Sequence, residues 1–119
     1  MHPHIVRLQQ IAEFDQLLAQ SRERPLLLFK HSLTCGTSAE ALDELIEHLN
    51  DDKLDAEYAI VTVQSHRDLS NAISKRLGVR HETPQALLIY DGRVIWSASH
   101  FRVTADAMQS AIKAHHAAR

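Results

Sequence analysis

PLLLFKHSLTCGTSAEALDELIEHL, residues 25–49, contains a change of periodicity with a cysteine at the join. After Pro25 the chain runs apolar through LLLF without alternation, which reads as a strand buried on both faces. From Ser38 onward Ala39, Ala41, Leu42, Leu45, Ile46 and Leu49 recur at helical spacing, predicting an amphipathic helix that starts at or just after Cys35. The NDDKLD stretch, residues 50–55, closes it. A strand apolar on both faces needs helices on both sides of its sheet.

Working outward, Leu8, Ile11, Ala12, Phe14, Leu17 and Leu18 predict a helix over 8–20, ended by SRER and Pro25, and His4 to Arg7 can add a short strand before it. EYAIVTV, residues 57–63, is rich in β-branched residues and reads as a second buried strand. DLSNAISKRLG, residues 68–78, reads as a helix stopped by Gly78. QALLIY and RVIWSAS flank Asp91-Gly92, the strongest short-range hairpin signal. Thr104 can cap a last helix over 104–116, with Asp106 in its first turn and Lys113, His115 and His116 near its end, as the helix dipole favours. The two early strands form a right-handed parallel pair and the two late ones an antiparallel pair. The expected fold is therefore α/β, a central mixed four-stranded sheet flanked by helices on both faces. The element order is that of the thioredoxin fold, which other small α/β sandwiches share, and the local motifs decide for a thioredoxin-like fold. No linker or repeat divides the 119 residues, so one domain over 1–119 is expected.

Composition bounds the function. With 45% hydrophobic and 24% charged residues and only 3 Gly and 3 Pro, the chain resembles an ordinary globular protein. A net charge of -2 gives no field for nucleic acid or anionic membrane. No apolar run approaches the roughly 20 residues of a membrane span. MHPHIVRLQQ carries no secretory pattern and a single cysteine makes no internal disulfide, so a reducing cytoplasmic setting and a monomer are expected. The pairs His2/His4 and His115/His116 lack the ligand spacing of a zinc site, and no metal is expected.

Cys35 has two readings. A lone cysteine is commonly a small buried hydrophobe. At a strand-to-helix turn, however, unpaired N–H groups and the dipole favour a thiolate, the reactive form of the side chain. Cys35-Gly36-Thr37-Ser38 has Cys-x-x-Cys spacing with serine in the second place. Ser38 cannot close a disulfide, but its hydroxyl can donate to a thiolate. Thr83-Pro84, just before a buried strand, is expected to be cis in this fold context.

The pieces Phe29-Lys30-His31-Ser32, Thr34-Cys35, His81-Glu82-Thr83-Pro84-Gln85 and Ala98-Ser99-His100 resemble the monothiol bacilliredoxins, a thioredoxin-fold family of the bacillithiol system, with likeness over residues 25–115. One departure stands out: the family's Thr-Cys-Pro-Ile-Ser is here Thr-Cys-Gly-Thr-Ser. The resemblance implies a thiol-disulfide oxidoreductase that removes bacillithiol from protein mixed disulfides, with bacillithiolated proteins and the low-molecular-weight thiol as partners. It implies that Cys35 attacks, that Ser38 replaces the resolving cysteine, that Pro84 lies opposite Cys35, and that the Thr83 backbone pairs with the substrate's cysteine portion. Thr34 belongs to the same binding surface. Lys30, His31, Arg80 and His81 can receive the malate carboxylates of bacillithiol, or be strand-end charges in solvent. His100 can contact ligand or tune the thiolate, or serve as a cap. Two other classes stay open: a glutaredoxin-like protein holding a [2Fe-2S] cluster with an external thiol, favoured by Cys-Gly-x-Ser but lacking that group's companion motifs, and a non-catalytic thioredoxin-fold interaction domain.

Overall fold

A computed structural model describes residues 2–51 and 55–118. The elements are β1 (Ile5–Arg7), α1 (Ile11–Gln20), β2 (Leu26–His31), α2 (Gly36–Asp51), β3 (Glu57–Thr62), α3 (Arg67–Leu77), β4 (Gln85–Tyr90), β5 (Arg93–Ser99), a 3₁₀ turn over His100–Arg102 and α4 (Ala105–Ala117). Part of the NDDKLD closure, residues 52–54, lies outside the described residues.

The strands order as β1-β3-β2-β4-β5. The sheet thus has five strands rather than four, because Ile5–Arg7 pairs in parallel with β3 through Ile5↔Tyr58, Val6↔Ala59 and Arg7↔Ile60. Three residues are too few to show a periodicity, but they suffice to pair and bury Ile5. β2 lies parallel to β3 and antiparallel to β4, and β5 is antiparallel to β4. The hairpin turn has positive φ at both Asp91 (51°) and Gly92 (76°), the conformation that Asp-Gly accommodates. Helix α3 ends at Gly78, whose φ of 68° is the left-handed cap that glycine adopts without penalty. Thr104 Oγ1 caps α4 by accepting the Ala107 N–H at 3.1 Å.

All six residues of β2 are buried, and alternate side chains supply two cores. Leu27 and Phe29 pack with Leu42, Leu45, Met108 and Ile112 of α2 and α4. Leu26 and Leu28 pack with Phe14 of α1 and Leu69 and Ile73 of α3. Each such side chain contributes about 1.5–3 kcal/mol on burial. The alternation continues into Lys30 and His31, so these two polar residues enter the interior on opposite faces. Among the described residues, no helix is long and apolar enough to cross a membrane.

Candidate active site

Four strand ends meet at one edge of the sheet: the C-termini of β2, β3 and β5 and the N-terminus of β4. The registers His31↔Thr62, Lys30↔Gln85 and Gln85↔Ser99 bring them level. The predicted residues Lys30, His31, Thr34, Cys35, Ser38, His81, Thr83, Pro84 and His100 all lie at or beside this edge.

Cys35 immediately precedes the first residue of α2 and is partly exposed. Its carbonyl accepts the Ala39 N–H at 3.1 Å, the opening bond of the helix, and its own N–H donates to the Ser32 carbonyl at 3.4 Å. The thiol therefore sits where orphan helix amides face an incoming anion. Gln64 braces this turn: its Oε1 accepts the Leu33 N–H at 2.9 Å, and its Nε2 donates to Ser32 Oγ at 3.0 Å and Thr34 Oγ1 at 3.3 Å. Thr34 thus serves the turn while staying exposed. Sequence reasoning passed over Gln64. The signal for it was the parallel pairing of β2 and β3, which carries the residue after VTV alongside the residues after KH.

Ser38 is fully buried and meets a different partner from the one expected. Its Oγ accepts the Ser32 N–H at 3.0 Å and lies 2.7 Å from His31 Nδ1. The hydroxyl that the sequence aims at the thiolate instead pins the first turn of α2 to the end of β2. His31 is buried too, with its pKa lowered mainly by desolvation against an opposing pull from Asp43, which keeps the ring neutral near pH 7.

The facing corner is Thr83-Pro84, and the peptide is cis as expected. The Pro84 carbonyl accepts the His100 N–H at 2.9 Å, tying the β4 entry to the β5 exit. His100 has a φ of 55°, and its Nε2 stands 3.7 Å from Glu82 Oε1. Glu82 is held below the usual carboxylate range by a hydrogen bond from Ser99, then by His100 and Arg80. His100 therefore braces the corner while its side chain remains largely exposed.

Lys30 requires a correction. It is 0% exposed, so it cannot itself receive a ligand carboxylate. Its Nζ donates to the Ser70 carbonyl at 2.9 Å, to Ser74 Oγ and to His81 Nδ1 at 3.4 Å. Burial lowers its pKa to about 8. His81 is half-buried and bridges onward, its Nε2 lying 3.4 Å from Thr83 Oγ1. Its pKa is lowered by burial first, then by Lys30 and Arg67. Arg80 is exposed and stays reachable. Ser70 and Ser74, some forty residues from Lys30, left no readable signal; serines inside a helix read as surface until the fold places a lysine beneath them.

In the 3₁₀ turn after β5, Phe101 is 75% exposed. It stands between a groove of about 340 Å³ lined by Thr37, Glu40, Glu44 and Asp106 and one of about 390 Å³ lined by Glu82, Ser99 and Arg102.

A family description, monothiol bacilliredoxin BrxC, matches residues 6–108. Among solved structures, one described as an oxidoreductase with a thioredoxin fold is 30% identical, with a TM-score of 0.77, covering 91% of this chain and 93% of that one. A mutant thioredoxin from Halobacterium salinarum is 23% identical, with a TM-score of 0.71 and coverage of 96% and 93%. Mitochondrial thioredoxin 3 from Saccharomyces cerevisiae, in its oxidised form, is 19% identical, with a TM-score of 0.72 and coverage of 92% and 94%. The last two speak for the thioredoxin fold alone.

Proposed function

The chain belongs to the monothiol bacilliredoxin family, and on that premise we propose that this thiol-disulfide oxidoreductase removes bacillithiol from protein mixed disulfides through Cys35. The observation that carries the reading is a partly exposed cysteine at the mouth of α2, level with a cis Thr83-Pro84 corner on the neighbouring strand. The Cys35 thiolate attacks the bacillithiol sulfur of the mixed disulfide. One S–S bond breaks and another forms, the client thiolate leaves with the bonding pair, and bacillithiol stays on Cys35. The chain has no second cysteine, so an external thiol must release the adduct and regenerate the thiolate.

The Thr83 backbone and Pro84 cradle the cysteine portion of the ligand. Arg80 and His100 form the polar surface for its malate carboxylates, His81 stands behind Thr83 rather than on that surface, and Thr34 lines the entrance. Ser38 and His31 act as positioning residues that hold the Cys35 turn, and Lys30 acts from beneath. The protein works as a monomeric domain over residues 1–119 in a reducing, cytoplasmic setting.

Intact-mass spectrometry after treatment with oxidised bacillithiol tests this. One bacillithiol adduct per chain is expected, absent in Cys35→Ser and removed by free thiol. Ready glutathionylation without any bacillithiol adduct would overturn the choice of thiol.

A further inference from the structure

The three donors of the Lys30 ammonium are matched by three acceptors, and none is a carboxylate: the Ser70 carbonyl, Ser74 Oγ and His81 Nδ1. An ammonium can only donate, so the His81 nitrogen facing it must present a lone pair. A neutral imidazole carries one proton, which then resides on Nε2. Ser70 Oγ, 3.5 Å from the same Nδ1, fits this assignment because a hydroxyl can donate to that lone pair as well. Burial, Lys30 and Arg67 all lower the His81 pKa, keeping the ring in the neutral form the arrangement needs. On its other side, Nε2 faces Thr83 Oγ1 at 3.4 Å. A threonine oxygen that accepts from His81 keeps its own hydrogen to offer elsewhere. The two histidine contacts are long, so what they transmit is direction more than strength.

We infer that Lys30, His81 and Thr83 form a directed hydrogen-bond chain that makes the Thr83 hydroxyl a donor to the sulfur anion displaced when Cys35 attacks a mixed disulfide. The inference rests on the reading of Cys35 as the nucleophile. The displaced sulfur leaves with the electron pair of the broken S–S bond, and a fixed donor at the cis-proline corner stabilises that charge without reorganising. Thr83 touches the reacting atoms; Lys30 and His81 are positioning residues.

Two measurements test it. Nitrogen-15 NMR of histidine-labelled protein at pH 7 should find His81 protonated on Nε2 and bare on Nδ1, and Lys30→Met should redistribute the tautomers. A wild-type ring protonated on Nδ1 overturns the chain. Stopped-flow exchange with a bacillithiol-capped peptide should be slowed about ten-fold in Thr83→Val and largely recovered in Thr83→Ser. Wild-type rates in Thr83→Val overturn this role alone, whereas no exchange by the wild type overturns the nucleophile reading and this role with it. If Lys30→Met does not fold, the wild-type spectrum and the Thr83 pair still decide.

Discussion

Lys30 and His31 are consecutive residues at the end of one strand, yet they hold the two halves of the site by different means. On the α2 face, His31 is neutral and shares Ser38 with the Ser32 amide, a hydrogen-bonded pin of uncharged groups. Such bonds contribute about 1 kcal/mol each. On the α3 face, Lys30 holds the cis-proline corner with a charge that has been taken out of water. Lowering a lysine from 10.5 to about 8 corresponds to roughly 3 kcal/mol of destabilisation at neutral pH. The cysteine turn is fixed by interactions any fold uses, while the opposite corner is fixed by a charge whose burial is itself disfavoured. A penalty of that size at the edge that carries the candidate site is the pattern expected of a residue retained for activity.

The comparison breaks most severely if the sign of the buried charge is reversed. Lys30→Glu should cost about 4 kcal/mol or more in urea denaturation, because the Ser70 carbonyl offers a carboxylate nothing to accept.

Lys30→Met sharpens the contrast instead. Because the folded pKa lies below the unfolded one, the unfolded chain binds the extra proton, and wild-type stability should rise by roughly 3 kcal/mol as pH climbs from about 8 to 10.5. The methionine variant should lack that rise. Tyr58, whose pKa is raised by burial, moves the other way near pH 10 in both proteins, so their difference isolates Lys30.

On the other face, Ser38→Ala leaves the Ser32 amide and His31 Nδ1 unpaired. It should cost about 2 kcal/mol in the same denaturation experiment, with the alkaline rise intact. Loss of that rise in Ser38→Ala would mean that the two faces are coupled.

The smallest effect is the acid limb. His31 and His81 both have lowered pKa values, so their contribution is complete above pH 6.5 and is lost as pH falls through the folded values. His31→Gln should flatten this limb by less than the Ser38→Ala loss, as read from midpoints between pH 7 and 5.

Much of this edge is legible in the sequence. The unbroken apolar run of β2, the Asp91-Gly92 turn and the Cys35 position follow from patterns confined to a few consecutive residues. The Thr83-Pro84 corner needed the fold as context, and its cis peptide agrees with that reading. Lys30 was visible as a residue of the site, but a lysine at a strand end reads as solvated; only the packing of α3 over β2 brings Ser70 and Ser74 to its ammonium. Ser38 was likewise identified, but given the thiol as partner, since Cys-x-x-Ser spacing conveys nothing of a histidine arriving from the preceding strand. RVIWSAS ends the last strand at Ser99, but nothing in that pattern shows that His100 then turns the chain at positive φ. Long-range pairings and backbone reversals of this kind are set by tertiary contacts.

The strand order has one further consequence. β2, which leads into the Cys35 turn, and β4, which carries its facing corner, are both interior strands, whereas β1 and β5 are the edges. Deuterium uptake should therefore begin along β1 and the outer side of β5 and reach the amides of Leu27, Phe29 and Leu88 last. A molecule whose margins have opened would still keep cysteine and cis-proline in register, so the proposed redox site belongs to the portion of the protein that is last to unfold.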